Sequence, residues 1–174
     1  MKKKRDLWIV KAFLLTFFIT LMVSGVSNFI SNNCHFTILV VITILIILIG
    51  IIFDIIGTSV LTAREATFHA MASSKVKGAK DAVKLIKNSS NIANFCNDVI
   101  GDICGIVSGS MGAMIAIYIS HNLKVDATIS ALLVSSIISS LTVGGKALGK
   151  KYATKNSDKI ISIVGKVISS FKKN

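Results

Sequence analysis

The stretch "FTILVVITILIILIGIIFDIIGTSVL", residues 36–61, decides the fold class. It carries a single charged residue, Asp54. A helix needs roughly 20 apolar residues to cross about 30 Å of hydrocarbon. In lipid a helix also closes its own backbone hydrogen bonds, which an isolated strand cannot do. The stretch therefore reads as a transmembrane helix.

Working outward, residues 7–30, 92–119 and 127–145 are apolar runs of similar length. The expected fold is an all-α membrane protein with four transmembrane helices. Composition agrees: 52% of residues are hydrophobic, 16% are charged, and the net charge is +12. The mean hydropathy is +0.73. A soluble domain is rarely so apolar. A nucleic-acid binder of this charge would not carry so much Ile, Val and Leu, so no nucleic-acid partner is expected. Residues 1–35 begin like a signal peptide, but the apolar run 7–30 exceeds the usual h-region. A retained helix is the favoured reading; "VSGVSN" leaves cleavage open.

The basic residues alternate from one connecting segment to the next. Lys2, Lys3, Lys4 and Arg5 precede the first run, and the first loop, "SNNCH", has none. The second loop, residues 62–91, holds Arg64, Lys75, Lys77, Lys80, Lys84 and Lys87. The third has only Lys124, and the tail is again rich in lysine. Cytoplasmic loops carry the excess of Lys and Arg. Both termini and the second loop are thus expected in the cytoplasm, around a multi-pass plasma-membrane protein.

Two basic segments have helical periodicity. In residues 62–91, Ala79, Val83 and Ile86 share a face. In residues 157–172, Ile160, Ile163, Val164, Val167 and Phe171 lie to one side, with Ser157 as a cap and Asp158 in the first turn. Such helices lie at the interface with lysines on anionic headgroups, or pack on a membrane or cytosolic protein partner. The expected organisation is a basic segment and extra helix over 1–35. A three-helix domain over 36–174 follows, with the basic helix 62–91 and the amphipathic helix 157–172.

Three acids sit in apolar runs: Asp54, Asp98 and Asp102. Intramembrane carboxylates are costly, so each needs a partner or a water-filled cavity. On a regular α-helix Asn91, Asn94, Asp98 and Asp102 form one stripe, with Asn97 close by. Two carboxylates a turn apart stay ionised only beside a cation. Lys146 is one countercharge, and a hard cation such as magnesium is the rival. Helix pairing through polar side chains is the plainer alternative. Gly101, Gly105 and Gly109 recur every four residues, with Gly112 beside them, a small-residue surface for helix packing within one chain or in a homodimer.

No catalytic constellation is evident, and no enzyme activity is expected. His35, His69 and His121 fall in different segments. Cys34, Cys96 and Cys104 form no CxxC pair and no zinc spacing.

Three stretches carry a resemblance to a known family: "FDIIGTSVLTAREATFHAMASSKVKGAKDAVKLIKN", "VIGDICGIVSGSMGA" and "VGGKALGKKYATKNSDKII". Their order and spacing resemble the transmembrane domain of the cyclin M and CorB/CorC magnesium-transporter family, over residues 36–172. Gly145, Lys150, Ala153, Asn156 and Ile160 fall in step with that family's last motif. The resemblance implies a dimeric three-helix domain with a basic juxtamembrane helix. It also implies a magnesium site made of serine, asparagine, carboxylate and backbone oxygens. The family's glutamate falls on Lys146, its proline on Gly149, its serine and glutamate on Ile55, Gly57 and Thr58, and its double asparagine on Asp102 and Ile103. Only Asp102 and Asp54 remain as metal-ligand candidates, with Asn94 and Asp98 as further ion-site residues. Lys146 then blocks the cation position or snorkels to the headgroups. The adjacent Gly144 and Gly145 are expected to act as a flexible helix exit. The functional expectation is a divalent-cation transporter of the efflux type with a degenerate site. The alternative is a non-transporting membrane subunit that keeps the fold and dimer surface. A small cationic membrane-acting or immunity protein is the third reading.

Overall fold

The computed structural model describes residues 13–14, 16–22, 25 and 35–172. Helices account for nearly all of them, and there is no strand among the described residues. The elements are α1 (Phe36–Thr62), α2 (Glu65–Ser73), α3 (Ala79–Lys87) and α4 (Ser89–Asn94), then a π-helical turn (Phe95–Ile100), α5 (Gly101–Leu123) and α6 (Ala127–Phe171). Among the described residues, three helices are long and apolar enough to cross a membrane: Phe36–Thr62, Ser89–Leu123 and Ala127–Phe171. The fourth expected span, residues 7–30, lies largely outside the described residues, and those described within it are helical.

Two expectations need correction. Residues 62–91 are not one basic helix. Lys75 (φ 56°) and Gly78 (φ 83°) take left-handed conformations and separate α2 from α3. Nor does the chain leave its helix at Gly144 and Gly145. Both stay helical within α6, whose one non-helical residue is Asn156 (φ −122°, ψ 23°). Leu148, Lys150 and Lys151 around the glycines are strong helix formers, which outweighs two glycines. Asn156 instead competes for the backbone: its Nδ2 donates to the Tyr152 carbonyl at 3.3 Å. The helix kinks here without a proline, of which the chain has none.

The chain divides into two compact units. The first comprises the described residues up to Gly50 together with Asp102–Val143. It is packed by aliphatic side chains, with Leu39, Ile47, Val107, Met111 and Ile115 buried. Glycines allow close approach: a Cβ on Gly50 would lie 3.0 Å from Cys104 Cβ, and one on Gly112 would overlap Ile138. Phe36 stacks on Tyr118 at 4.6 Å. Hydroxyls bond back to their own helices: Thr43 to Leu39 O at 2.8 Å, Ser108 to Gly105 O at 3.0 Å and Thr142 to Ile138 O at 2.8 Å. This satisfies them without leaving the helix. Asp126 begins α6, its Oδ1 accepting the Thr128 and Ile129 N–H groups at 2.8 and 3.2 Å. The Ile129 N–H, then that of Thr128, holds the Asp126 carboxyl below its ordinary pKa.

The second unit comprises Ile51–Gly101 and Gly144–Asn174. Its core gathers Val60, Phe68, Ala82, Val83, Ile86, Ala93 and Ile161. Burying a residue of Phe68's size contributes about 2–3 kcal/mol. Val83 and Ile86 owe their places to the helical spacing seen in the sequence. The tail of α6 is less simple. Ala153, Ser157, Ile161 and Gly165, four residues apart, form its buried stripe, while Ile163, Val167 and Phe171 are exposed. The tail therefore has an inner face of small residues with one isoleucine, besides the apolar face visible in the sequence. Gly78 and Gly165 meet backbone to backbone: a Cβ on Gly78 would fall 2.5 Å from the Lys166 nitrogen, and one on Gly165 2.6 Å from the Gly78 oxygen.

Candidate functional site

Within the second unit, the end of α1 runs parallel to the middle of α6. Gly145 faces Ile51, Gly149 faces Ile55, Ser157 reaches Thr62 and Asp158 reaches Arg64. The numbering offset stays at 94 or 95 throughout, so the two segments advance in step. Gly145 and Gly149 are one turn apart, and each accommodates an isoleucine of α1 where a Cβ would collide. This close approach fixes what stands beside the glycines.

Lys150 follows Gly149 and comes level with Asp54, its Nζ 3.7 Å from Oδ1. The Asp54 side chain is 3% exposed and that of Lys150 56%. Their attraction is about 4 kcal/mol at an effective dielectric near 20. Desolvation of the carboxylate and screening at the exposed lysine offset much of it. Asp54 Oδ2 is buried without a hydrogen-bond partner among the described residues, as is Asn97 Oδ1. Asn97 packs against Gly57, where a Cβ would overlap its amide. Gly57 lies three residues after Asp54 and thus on the same side of α1. The site consists of one buried carboxylate, one buried amide and the lysine that reaches the carboxylate.

The residues singled out from the sequence are distributed differently. Asp54 is central to the site. Asn94, Asp98 and Asp102 are exposed, and none makes an ion pair among the described residues. Asn91 is exposed as well, so every member of the polar stripe stays outward across the π-helical turn Phe95–Ile100. Within that turn Asn97 is half-buried, with its Oδ1 turned inward. Lys146 is not a countercharge to Asp98 or Asp102: its Nζ lies against Gly101, 3.2 Å from where a Cβ would sit. Lys150 is the lysine that meets an intramembrane-type acid. Of the packing glycines, Gly101 and Gly112 have close neighbours, whereas Gly105 and Gly109 face open space.

The sequence does not single out Asn97 for its buried amide oxygen or Lys150 for its contact with Asp54. A signal existed for Lys150: it follows the second glycine of a Gly-x-x-x-Gly pair. Asn97 carried no comparable signal, since a π turn is not legible in residue types. No group of three or more His, Cys, Asp or Glu suited to a metal occurs among the described residues. An oxygen-seeking ion would thus rely on one carboxylate, amide oxygen and water. No protein-family model matches the chain, and no curated protein or solved structure is significantly similar to it.

Proposed function

We propose that the protein is a multi-pass plasma-membrane protein of the magnesium or divalent-cation efflux type, in which Lys150 occupies the carboxylate of Asp54 until a cation replaces it. The observation that carries this reading is the pair of buried oxygens lacking donors, Asp54 Oδ2 and Asn97 Oδ1. Magnesium takes oxygen ligands, typically one or two carboxylates, and keeps several of its waters. Lys150 is mostly exposed on a flexible stem, so it can leave the carboxylate without unpacking the helices. The loop lysines support placing both termini in the cytoplasm. Two spans that enter from the same side must run parallel, as the end of α1 and the middle of α6 do. The open surface at Gly105 and Gly109 suits a homodimer.

The test is magnesium flux from proteoliposomes, followed with an enclosed indicator. The wild type should conduct magnesium, and Asp54→Asn should remove most of the flux. A second reading, a non-transporting membrane subunit, draws on the neutralisation of Asp54 by Lys150 and on Lys146 standing where the resembling family has glutamate. Absence of flux from the wild type would favour that reading.

A further inference from the structure

A second lysine stands beside the Asp54 site, and the departure of Lys150 leaves it in place. Lys146 lies one turn before Lys150 on the same face of α6. It is half-buried, with no ion pair and no other polar partner among the described residues. Its ammonium rests against the π turn at Gly101. A Cβ there would lie 3.2 Å from Lys146 Nζ and 3.6 Å from the Cys96 carbonyl oxygen. The ammonium uses the space that a side chain at Gly101 would fill.

The surrounding contacts tie this ammonium to the two oxygens that lack donors. Lys146 meets Gly101 of the π turn, and Lys150 meets Asp54 of α1. Asn97, four residues before Gly101, meets Gly57, three residues after Asp54. Each step along a helix is about one turn, roughly 5–6 Å. Lys146 Nζ therefore stands on the order of 8 Å from Asp54 Oδ2 and Asn97 Oδ1. With Lys150 on Asp54, the two lysines and the aspartate carry a net +1. A monovalent cation in place of the Lys150 ammonium restores that charge, and a divalent cation exceeds it by one. Asp98 and Asp102 are exposed and pair with neither lysine.

We infer that Lys146 is a specificity-determining residue of this site, a fixed positive charge that weakens the binding of divalent cations more than that of monovalent ones. The inference rests on the cation-site reading above and adds the residue that sets its affinity. Coulomb repulsion is proportional to the charge of the ion, so the fold-change for a divalent ion is the square of that for a monovalent one. At about 8 Å and an effective dielectric of about 40, the two factors are about 25-fold and about fivefold. Weak retention of magnesium suits an efflux path, which must release its ion.

The experiment is calorimetric titration of magnesium on the full chain in detergent, at constant ionic strength in choline chloride, repeated with sodium as competitor. Relative to the wild type, Lys146→Gln should tighten magnesium about 25-fold and sodium about fivefold. Lys146→Met should match it, and Lys146→Arg, which keeps the charge, should leave both affinities within about twofold. Lys159→Gln removes the same charge beyond the kink of α6 and should leave both unchanged. Equal factors for the two ions in Lys146→Gln would overturn the inference, since a packing change does not act by ionic charge. Unchanged affinities in Lys146→Gln, or equal tightening in Lys159→Gln, would overturn it too. In each of these cases, loss of binding in Asp54→Asn would leave the cation site itself standing. No magnesium binding in any folded variant, Lys150→Gln included, would overturn the site and the inference together.

Discussion

The two units of the molecule hold themselves together by different means. The first has no ion pair among the described residues, bonds the hydroxyls of Thr43, Ser108 and Thr142 back to their own helices, and packs Ile138 into a glycine gap. The second contains every described ion pair, an aromatic in its core and a left-handed glycine. On the membrane reading, the contrast reflects solvent. Between helices in lipid there is no hydrophobic driving force, so packing and small residues decide association. Where helices face water, burial of apolar surface and fixed turn geometry contribute more. The second unit should therefore be the more sensitive to single substitutions.

The largest expected effect is at Phe68, fully buried in the second unit's core. Phe68→Ala should cost about 3–5 kcal/mol in detergent-based thermal unfolding. Leu133→Ala in the first unit, at an exposed position, should stay within about 0.5 kcal/mol. Equal losses would break the contrast. Next comes Gly78→Ala, which combines a left-handed backbone with collision against Lys166. It should cost about 1–3 kcal/mol and loosen the tail of α6, read by hydrogen exchange near Gly165. Arg64→Ala should cost about 1 kcal/mol, because the guanidinium is largely exposed and only its partner Asp158 is shielded. In the first unit, Gly109→Ala meets open space and should leave monomer stability within about 0.5 kcal/mol. If it dissociates an oligomer on size-exclusion light scattering, that surface is the dimer contact.

The smallest expected effect sharpens the comparison through pH. Asp126 is the one acid that caps a helix among the described residues of the first unit. Its folded-state pKa lies below the unfolded value, because the Ile129 and Thr128 N–H groups stabilise the carboxylate. Its contribution is complete above the ordinary aspartate value of about 3.9 and is lost as pH falls through the lowered folded value. Asp126→Asn should remove that acid-side dependence from the first turn of α6 while leaving the pH response of the second unit unchanged.

Much of the helical plan was legible in residue order. Residues 36–61 became α1 almost unchanged, and the start of α6 falls at Ala127 as expected. These are long apolar runs, whose length and composition carry the signal by themselves. The expectation of a helix exit at Gly144 and Gly145 failed because it assigned local geometry from residue type. Tertiary packing uses Gly145 to bring in Ile51. Asp54 was readable as a lone charge in apolar sequence. Its partner was not, because the choice between Lys146 and Lys150 depends on the parallel register of two segments some 95 residues apart.

The central claim is that Asp54 exchanges Lys150 for a cation, and calorimetric titration of magnesium on the purified protein in detergent tests it most directly. The claim predicts binding by the wild type, its loss in Asp54→Asn, and tighter binding in Lys150→Gln, since the competing ammonium is gone. Absence of binding in Lys150→Gln, with the variant folded by circular dichroism, would contradict it.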